Sequence, residues 1–475
     1  MLFSSVTFLF YFLPLFLLCY AVLPFRNATA LLFSAIFYAW GEGLFLSVLV
    51  VSVLLNYVCG RWIDSASERG RQRALTVGVI ANLTLLGYFK YFGFLVVDIF
   101  GWQSFNPDNI PHLPLGISFF TFQSISYLVD VYRRDAKVAD SILDLALYIM
   151  MFPQLIAGPI VRYARVARQL RRRVVHVNYL LHGLMFFAIG LAQKMLIANN
   201  MAGVADSIYG LPQDALSTGL AWTGATTYTL QIYFDFAGYS NMAIGLGLVM
   251  GFKFPQNFNY PYISQSITDF WRRWHMSLSS WFRDYLYIPL GGNRVGSWRT
   301  YRNLLIVFLL CGLWHGAAWT FVVWGFYNGA FLIMERWGLG ARLARLPRLI
   351  RHAYALLAIV VGWVIFRADT LPQAGNMLRY MFGMGDISIT SKSVLEYVNQ
   401  QQLLLFFVGL IASTPLPRSL AAKFMTDRHV DVRRRFPAAT VPRDAISVAI
   451  ACLLLIVCFI YVASGTYNPF IYFRF

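Results

Sequence analysis

The chain alternates long apolar runs with short stretches rich in arginine. A helix that crosses a bilayer needs ~20 apolar residues. Runs of that kind begin near Phe3, Ala28, Gly43, Ala74, Pro114, Ile142, Tyr179, Leu220, Asn303, Ala353, Leu403 and Ile446. At least one is too interrupted to cross fully, which predicts about eleven transmembrane helices. The runs are continuous rather than ~10-residue alternating segments, so they do not read as a membrane β-barrel. The expected fold class is all-α, a polytopic integral membrane protein with a single domain over residues 1–475. Met1–Leu23 lacks a basic leader and a small-residue cleavage pattern, and reads as a retained first helix rather than a signal peptide.

Two segments depart from simple crossing. The basic clusters Arg133–Lys137 and Arg162–Arg173 flank the apolar run Ile142–Ile160, and a full crossing would put them on opposite sides. That run contains FPQLIAGP, in which Pro153, Gly158 and Pro159 break helix. A re-entrant segment keeps both clusters cytoplasmic; a proline-kinked span is the alternative. Broken backbone at membrane depth is buried by protein or lines a cavity, so the segment is a candidate wall of a substrate path. Farther on, a helical period applied from Phe270 to Leu286 gathers Trp271, Trp274, Trp281 and Tyr285 on one side and Arg272, Arg273, Arg283 and Asp284 on the other. This predicts one amphipathic helix lying at an interface or against other helices, with His275 in its apolar arc.

Composition narrows the class. The 475 residues are 58% hydrophobic and only 13% charged, whereas soluble domains carry about 25% charged residues. A soluble reading fails. The formal net charge of +18 invites a nucleic-acid partner, but cytoplasmic loops of membrane proteins are enriched in Lys and Arg. The clusters at Arg61–Arg73, Arg133–Lys137, Arg162–Arg173, Arg272–Arg302, Arg342–Arg351 and Arg433–Arg443 fit that explanation. They can also meet anionic lipid headgroups or a phosphorylated donor. No nucleic acid is expected, and the bilayer is the first partner. The five cysteines are scattered without metal-ligand spacing and read as small core hydrophobes. No metal site is expected.

The candidate chemistry centres on histidine. His315 lies in Leu304–Met334, a stretch without formal charge. An ionisable side chain there is costly in lipid and faces protein or a watered cavity. Its neighbours Gly312, Gly316 and Ala318 let a backbone or substrate come close, while Trp314 and Trp319 offer flat apolar walls. A neutral imidazole in such a place is a candidate general base; a histidine that merely bonds across helices is the alternative. His275, by itself, reads first as a packed core residue. Asp235 is a further intramembrane ionisable group, either a helix-to-helix anchor or an orienting partner. There is no GxSxG, HExxH or Walker A sequence.

Taken together, WRRWHMSLSSWFRDYLYIPLGGNR, LWHGAAWTFVVWG, YFDFAGYSNMAIGLGLVMGF, PYISQSITDFWRRWH, the N-terminal FSSVTFLFYFLP and VVGWVIFRA resemble the membrane-bound O-acyltransferases. The best resemblance is to the bacterial branch that acetylates exopolysaccharides such as alginate. It covers most of the chain and weakens after about Phe382. It implies a helical fold around a central funnel, with the catalytic core at roughly 220–340. The family's central histidine corresponds to His315. Its second position, asparagine in many eukaryotic members, corresponds to His275. Trp271, Trp274, Trp314 and Asp235 are candidate substrate-binding residues. The resemblance further implies a bacterial inner-membrane enzyme with no bound cofactor. It would move an acetyl group from a cytoplasmic thioester donor, acetyl-CoA, to hydroxyls of a polysaccharide acceptor outside. Periplasmic acetylation partner proteins would assist. D-alanyl transfer to teichoic acid and polymer or carrier transport without chemistry are the rival readings.

Overall fold

The computed structural model describes residues 1–102, 105–106, 109–173, 175–212, 215–385, 393–424, 441–465 and 467–470, and every regular element among them is helical. Most of the basic cluster Arg433–Arg443 falls outside the described residues.

The first third of the chain makes one side of the bundle. After α1 (Leu13–Val22), α2 (Arg26–Glu42) leads to α3 (Leu46–Ser65) through Gly43, whose φ of 52° suits a residue without Cβ. Next comes α4 (Glu68–Gly93), joined to α3 by the buried amides of Asn56 and Asn82, each donating to the other's oxygen at 3.1 and 2.9 Å. The helix α5 (Ile117–Arg133) is buried along nearly all its length.

The run expected to be re-entrant is broken. It forms α6 (Ile142–Met150), α7 (Phe152–Leu155) and α8 (Tyr163–Arg171), with residues 145–161 buried throughout. The Tyr148 hydroxyl donates to the Val161 carbonyl at 2.9 Å, so the chain doubles back on itself. Asn27 Nδ2 reaches both Asp144 at the start of α6, at 3.5 Å, and the Leu170 carbonyl near the end of α8, at 2.9 Å. Arg162 pairs with Asp284 at 2.7 Å, and Arg133 donates to the Asp284 carbonyl at 3.2 Å. Both basic clusters therefore meet one residue on one face. Arg71, from the cluster before α4, joins them by donating to the Tyr132 carbonyl at 2.7 Å.

The central unit follows. It comprises α9 (Val177–Ala192), α10 (Asn199–Tyr209) and α11 (Thr218–Val249). At two glycine pairs α9 crosses α11: a Cβ on Gly183 would stand 2.7 Å from the Gly245 carbonyl oxygen, and one on Gly190 would stand 2.5 Å from that of Gly238. Backbones approach this closely where lipid gives helices no hydrophobic drive to associate. The rest of the chain forms α12 (Ile267–Arg273), α13 (Met276–Phe282), α14 (Ser297–His315), α15 (Trp319–Met334), α16 (Gly340–Ala344), α17 (Arg348–Arg367) and α18 (Leu371–Met381), then α19 (Gln400–Ala412), α20 (Leu416–Phe424) and α21 (Val441–Ala463).

Among the described residues, five helical stretches are long and apolar enough to cross a membrane: Arg26–Ser65, Glu68–Ile99, Val177–Tyr209, Arg348–Arg367 and Ala445–Ala463. The expected count of eleven is not confirmed among these residues. The apolar runs are cut by breaks such as Gly316–Ala318, and α11 carries buried Gln231 and Asp235. The uncharged stretch Leu304–Met334 is not one span but a hairpin of α14 and α15. A Cβ on Gly312 would stand 2.3 Å from the Phe321 carbonyl oxygen, and one on Gly325 would stand 2.4 Å from that of Phe308.

Candidate active site

His315 closes α14, and a helix end leaves its last carbonyls without partners. Here α4 supplies the donors. Tyr91 donates to the Leu313 carbonyl at 2.8 Å, and the Lys90 ammonium donates to the carbonyls of Trp314 and His315, the latter at 3.3 Å. The third Lys90 bond reaches the Ser118 hydroxyl of α5 at 3.2 Å. A cation at a helix C-terminus also meets the negative end of the helix dipole. The chain then turns sharply, because Gly316 has no side chain: a Cβ there would stand 2.1 Å from the Phe321 ring. The His315 ring sits edge-on to Trp324 and Phe366, both at 5.2 Å between centroids.

His315 is 6% exposed, yet it lines a cavity of about 410 Å³. The walls are Lys90, Trp314, Ser118 and Phe119, together with Ile156 from the broken segment and the loop 112–116. Glu42 and His112 also line it, 3.6 Å apart, and the His112 side chain is 67% exposed. The cavity thus runs from solvent at His112 to the imidazole. No residue of Phe270–Leu286 lines it. The re-entrant segment contributes through Ile156, as expected of it.

The predicted amphipathic helix Phe270–Leu286 is itself broken, at His275, whose φ is +42°. Asn257 makes the break. Its carbonyl accepts from the Met276 amide at 2.9 Å, and its side-chain oxygen accepts from the Ser277 amide and hydroxyl at 3.2 and 2.9 Å, capping α13. A single helical wheel through both halves therefore does not hold, although its conclusion that His275 faces the packed side does. His275 is fully buried, and neither ring nitrogen has a hydrogen-bond partner among the described residues. Its ring lies 4.5 Å from Phe236 and 6.0 Å from Trp314, while Trp314 lies 4.9 Å from His315. The structure brings the two histidines together against one indole.

The other candidates have separate places. Trp314 lines the cavity. Trp271 donates to Asn328 Oδ1 at 3.2 Å, and Trp274 packs 4.8 Å from Trp363; neither lines the cavity. Asp235 forms a buried 2.6 Å ion pair with Lys194, which also donates to the Pro469 carbonyl. That is the anchoring role, joining α11 to the turn after α9 and to the C-terminal segment. Sequence reasoning passed over Lys90, although it is the single charge between Arg73 and Asp98 and could have been flagged by the same rule as His315. Glu42 and His112 carried no such signal. Among the described residues no group of three or more His, Cys, Asp or Glu side chains could hold a metal.

A buried imidazole at the end of a cavity that opens to solvent can take a proton from a hydroxyl brought to it. The membrane-bound O-acyltransferase (MBOAT) family matches residues 32–366. The chain belongs to this family. It is a multi-pass membrane acyltransferase. Over the full length of both chains it is 42% identical to a protein of Azotobacter vinelandii named probable alginate O-acetylase. It is 43% identical to the protein of that name from Pseudomonas aeruginosa, with 93% of this chain and 88% of the relative covered. A peptidoglycan O-acetyltransferase of Helicobacter pylori is 35% identical over 100% of this chain and 98% of its own. A teichoic acid D-alanyltransferase of Bacillus subtilis is 32% identical over 49% of this chain and 62% of its own.

Proposed function

We propose that this acyltransferase is the membrane subunit of an exopolysaccharide O-acetylation system, acting on alginate or a similar polymer in the bacterial inner membrane. The full-length similarity to alginate O-acetylases supports acetyl transfer over D-alanyl transfer, where the likeness covers about half the chain. The observation that carries the mechanism is the cavity that leads from His112 to His315. His315 takes the proton of the acceptor hydroxyl as its oxygen attacks the carbonyl carbon of the thioester. The thiolate leaves, and the acetyl ester forms. His275 is buried beside Trp314 and does not line the cavity; with that indole displaced by substrate, its ring nitrogens, which have no protein partner among the described residues, donate to the developing oxyanion.

The helices also support a direction. Arg26 and Glu42 are sixteen residues apart on α2, Arg71 and Lys90 nineteen apart on α4, and Arg299 and His315 sixteen apart on α14. At 1.5 Å per residue these are separations of roughly 24 to 28 Å. The cavity thus lies far along each helix from its arginine, and the arginine-rich face is cytoplasmic by the positive-inside rule. The acceptor, the polymer or a periplasmic partner protein, enters past Glu42 and His112. Acetyl-CoA, the proposed donor, approaches from the arginine side.

Purified protein in liposomes with acetyl-CoA and polymer acceptor tests this by release of CoA. A transferase releases CoA only when acceptor is present, and His315→Ala lowers the rate at least ~10²-fold. No acceptor-dependent release, as for a transporter, or near-normal release by His315→Ala, overturns the reading.

A further inference from the structure

A second, larger cavity lies on the arginine-rich face, on the outside of the bundle. It has a volume of about 1140 Å³ and is framed by the start of α2, by α6 and by the end of α8. Its two ends differ in chemistry. At the rim stand Arg26, Arg171, Arg172 and Arg173. Arg171 is engaged by Asp140 at 2.6 Å. Arg173 bonds only uncharged acceptors, Tyr20, Asn27 and the carbonyls of Met250 and Gln169, so no carboxylate offsets its charge among the described residues. Arg26 lies over the Tyr20 ring at 6.0 Å, and neither it nor Arg172 pairs with a carboxylate among the described residues. Against these cations the lining holds one acidic side chain, Asp144. Away from the rim the walls become apolar: Leu31, Leu32 and Ala35 of α2, Val50 of α3, and Leu143 and Met150 of α6. From Arg26 to Ala35 the groove follows nine residues of helix, roughly 13 Å.

We propose that this cavity is a binding site for an anionic phospholipid, its phosphate held by Arg26, Arg172 and Arg173 and an acyl chain laid along Leu32, Ala35 and Leu143. Cationic side chains at a membrane surface attract anionic headgroups, and the exposed Leu32 and Leu143 need an apolar neighbour that the protein does not provide. A free anion would match the rim but leave the groove bare. A zwitterionic lipid would fill the groove but carries a cation beside its phosphate, close to the arginines.

The site lies apart from the His315 cavity, so it can be tested without reference to catalysis. The purified full-length protein is mixed with equal amounts of phosphatidylglycerol and phosphatidylcholine of the same chains, and retained lipid is read by native mass spectrometry. Phosphatidylglycerol should be retained preferentially. The preference should fall at least ~10-fold in the double variant Arg26→Gln, Arg172→Gln and persist in Arg26→Lys, Arg172→Lys, since both positions are exposed and charge is the property at issue. Glycerol 3-phosphate at millimolar concentration should not displace the lipid. Equal retention of the two lipids overturns the proposal, as does a preference that survives the glutamine variant. Displacement by glycerol 3-phosphate would mark a small-anion site instead.

Discussion

His315 and His275 share the indole of Trp314 yet differ in what surrounds them, and that difference separates their roles. His315 borders an open cavity, so His315→Ala should abolish turnover while leaving insertion and thermal stability nearly intact. His275 is sealed, with ring nitrogens that no described residue engages. His275→Asn should retain more activity than His275→Ala, because an amide still donates a hydrogen bond. If packing were its whole task, both variants would lose stability together and activity would track the folded fraction. Turnover and melting temperature measured on the same preparations distinguish these outcomes. Lys90 makes a third case. Its ammonium satisfies the carbonyls that end α14, and Lys90→Met leaves them buried without donors, a cost of about 1–3 kcal/mol. Lower thermal stability together with a lower kcat is expected. Lys90→Met with unchanged stability would remove its capping role. These side chains were unequally legible. A histidine or lysine alone in an apolar run is conspicuous in any sequence, whereas Glu42 and His112 flank a cavity mouth that exists only after distant loops meet.

At the scale of elements, the site depends on where helices stop. The hairpin of α14 and α15 is set by glycines facing the partner backbone, and Gly312→Val would push a side chain into the Phe321 carbonyl. Overpacking of this kind costs ~1–3 kcal/mol, and here it should also tilt His315 out of the cavity. The expected result is a folded, less stable protein with strongly reduced turnover; Gly329→Ala, whose added Cβ would come no closer than 3.3 Å, to Leu305 Cδ1 and Phe308 Cβ, should be much milder. Equal effects of the two would contradict the close-crossing argument. Periodicity identified these segments as helical and apolar but joined what the structure divides. It cannot register Asn257 reaching across to cap α13, because that bond spans twenty residues of chain. The doubling back near Pro153 was legible, since prolines and two basic clusters conflict locally with a full crossing.

For the whole molecule, Arg26, Arg71 and Arg299 stand at one end of α2, α4 and α14, and the mouth of the His315 cavity lies at the far ends of the same helices. This predicts an asymmetric labelling pattern in intact cells. With the exposed Cys452 replaced by Ser, a membrane-impermeant thiol reagent should modify His112→Cys and spare Arg69→Cys and Arg165→Cys. Labelling of either arginine position from outside would invert the orientation and, with it, the assigned acceptor side. The sequence by itself determined that this protein lives in a membrane, that it is helical, and that an ionisable residue stands in an uncharged run. Those properties follow from composition and local pattern, which the solvent reads one segment at a time. Tertiary structure alone decided which polar groups meet: Lys90 with the end of α14, Asp235 with Lys194, His275 with His315 around Trp314. Such pairings join residues far apart in the chain, and they exist because buried polar groups must find partners wherever packing brings them.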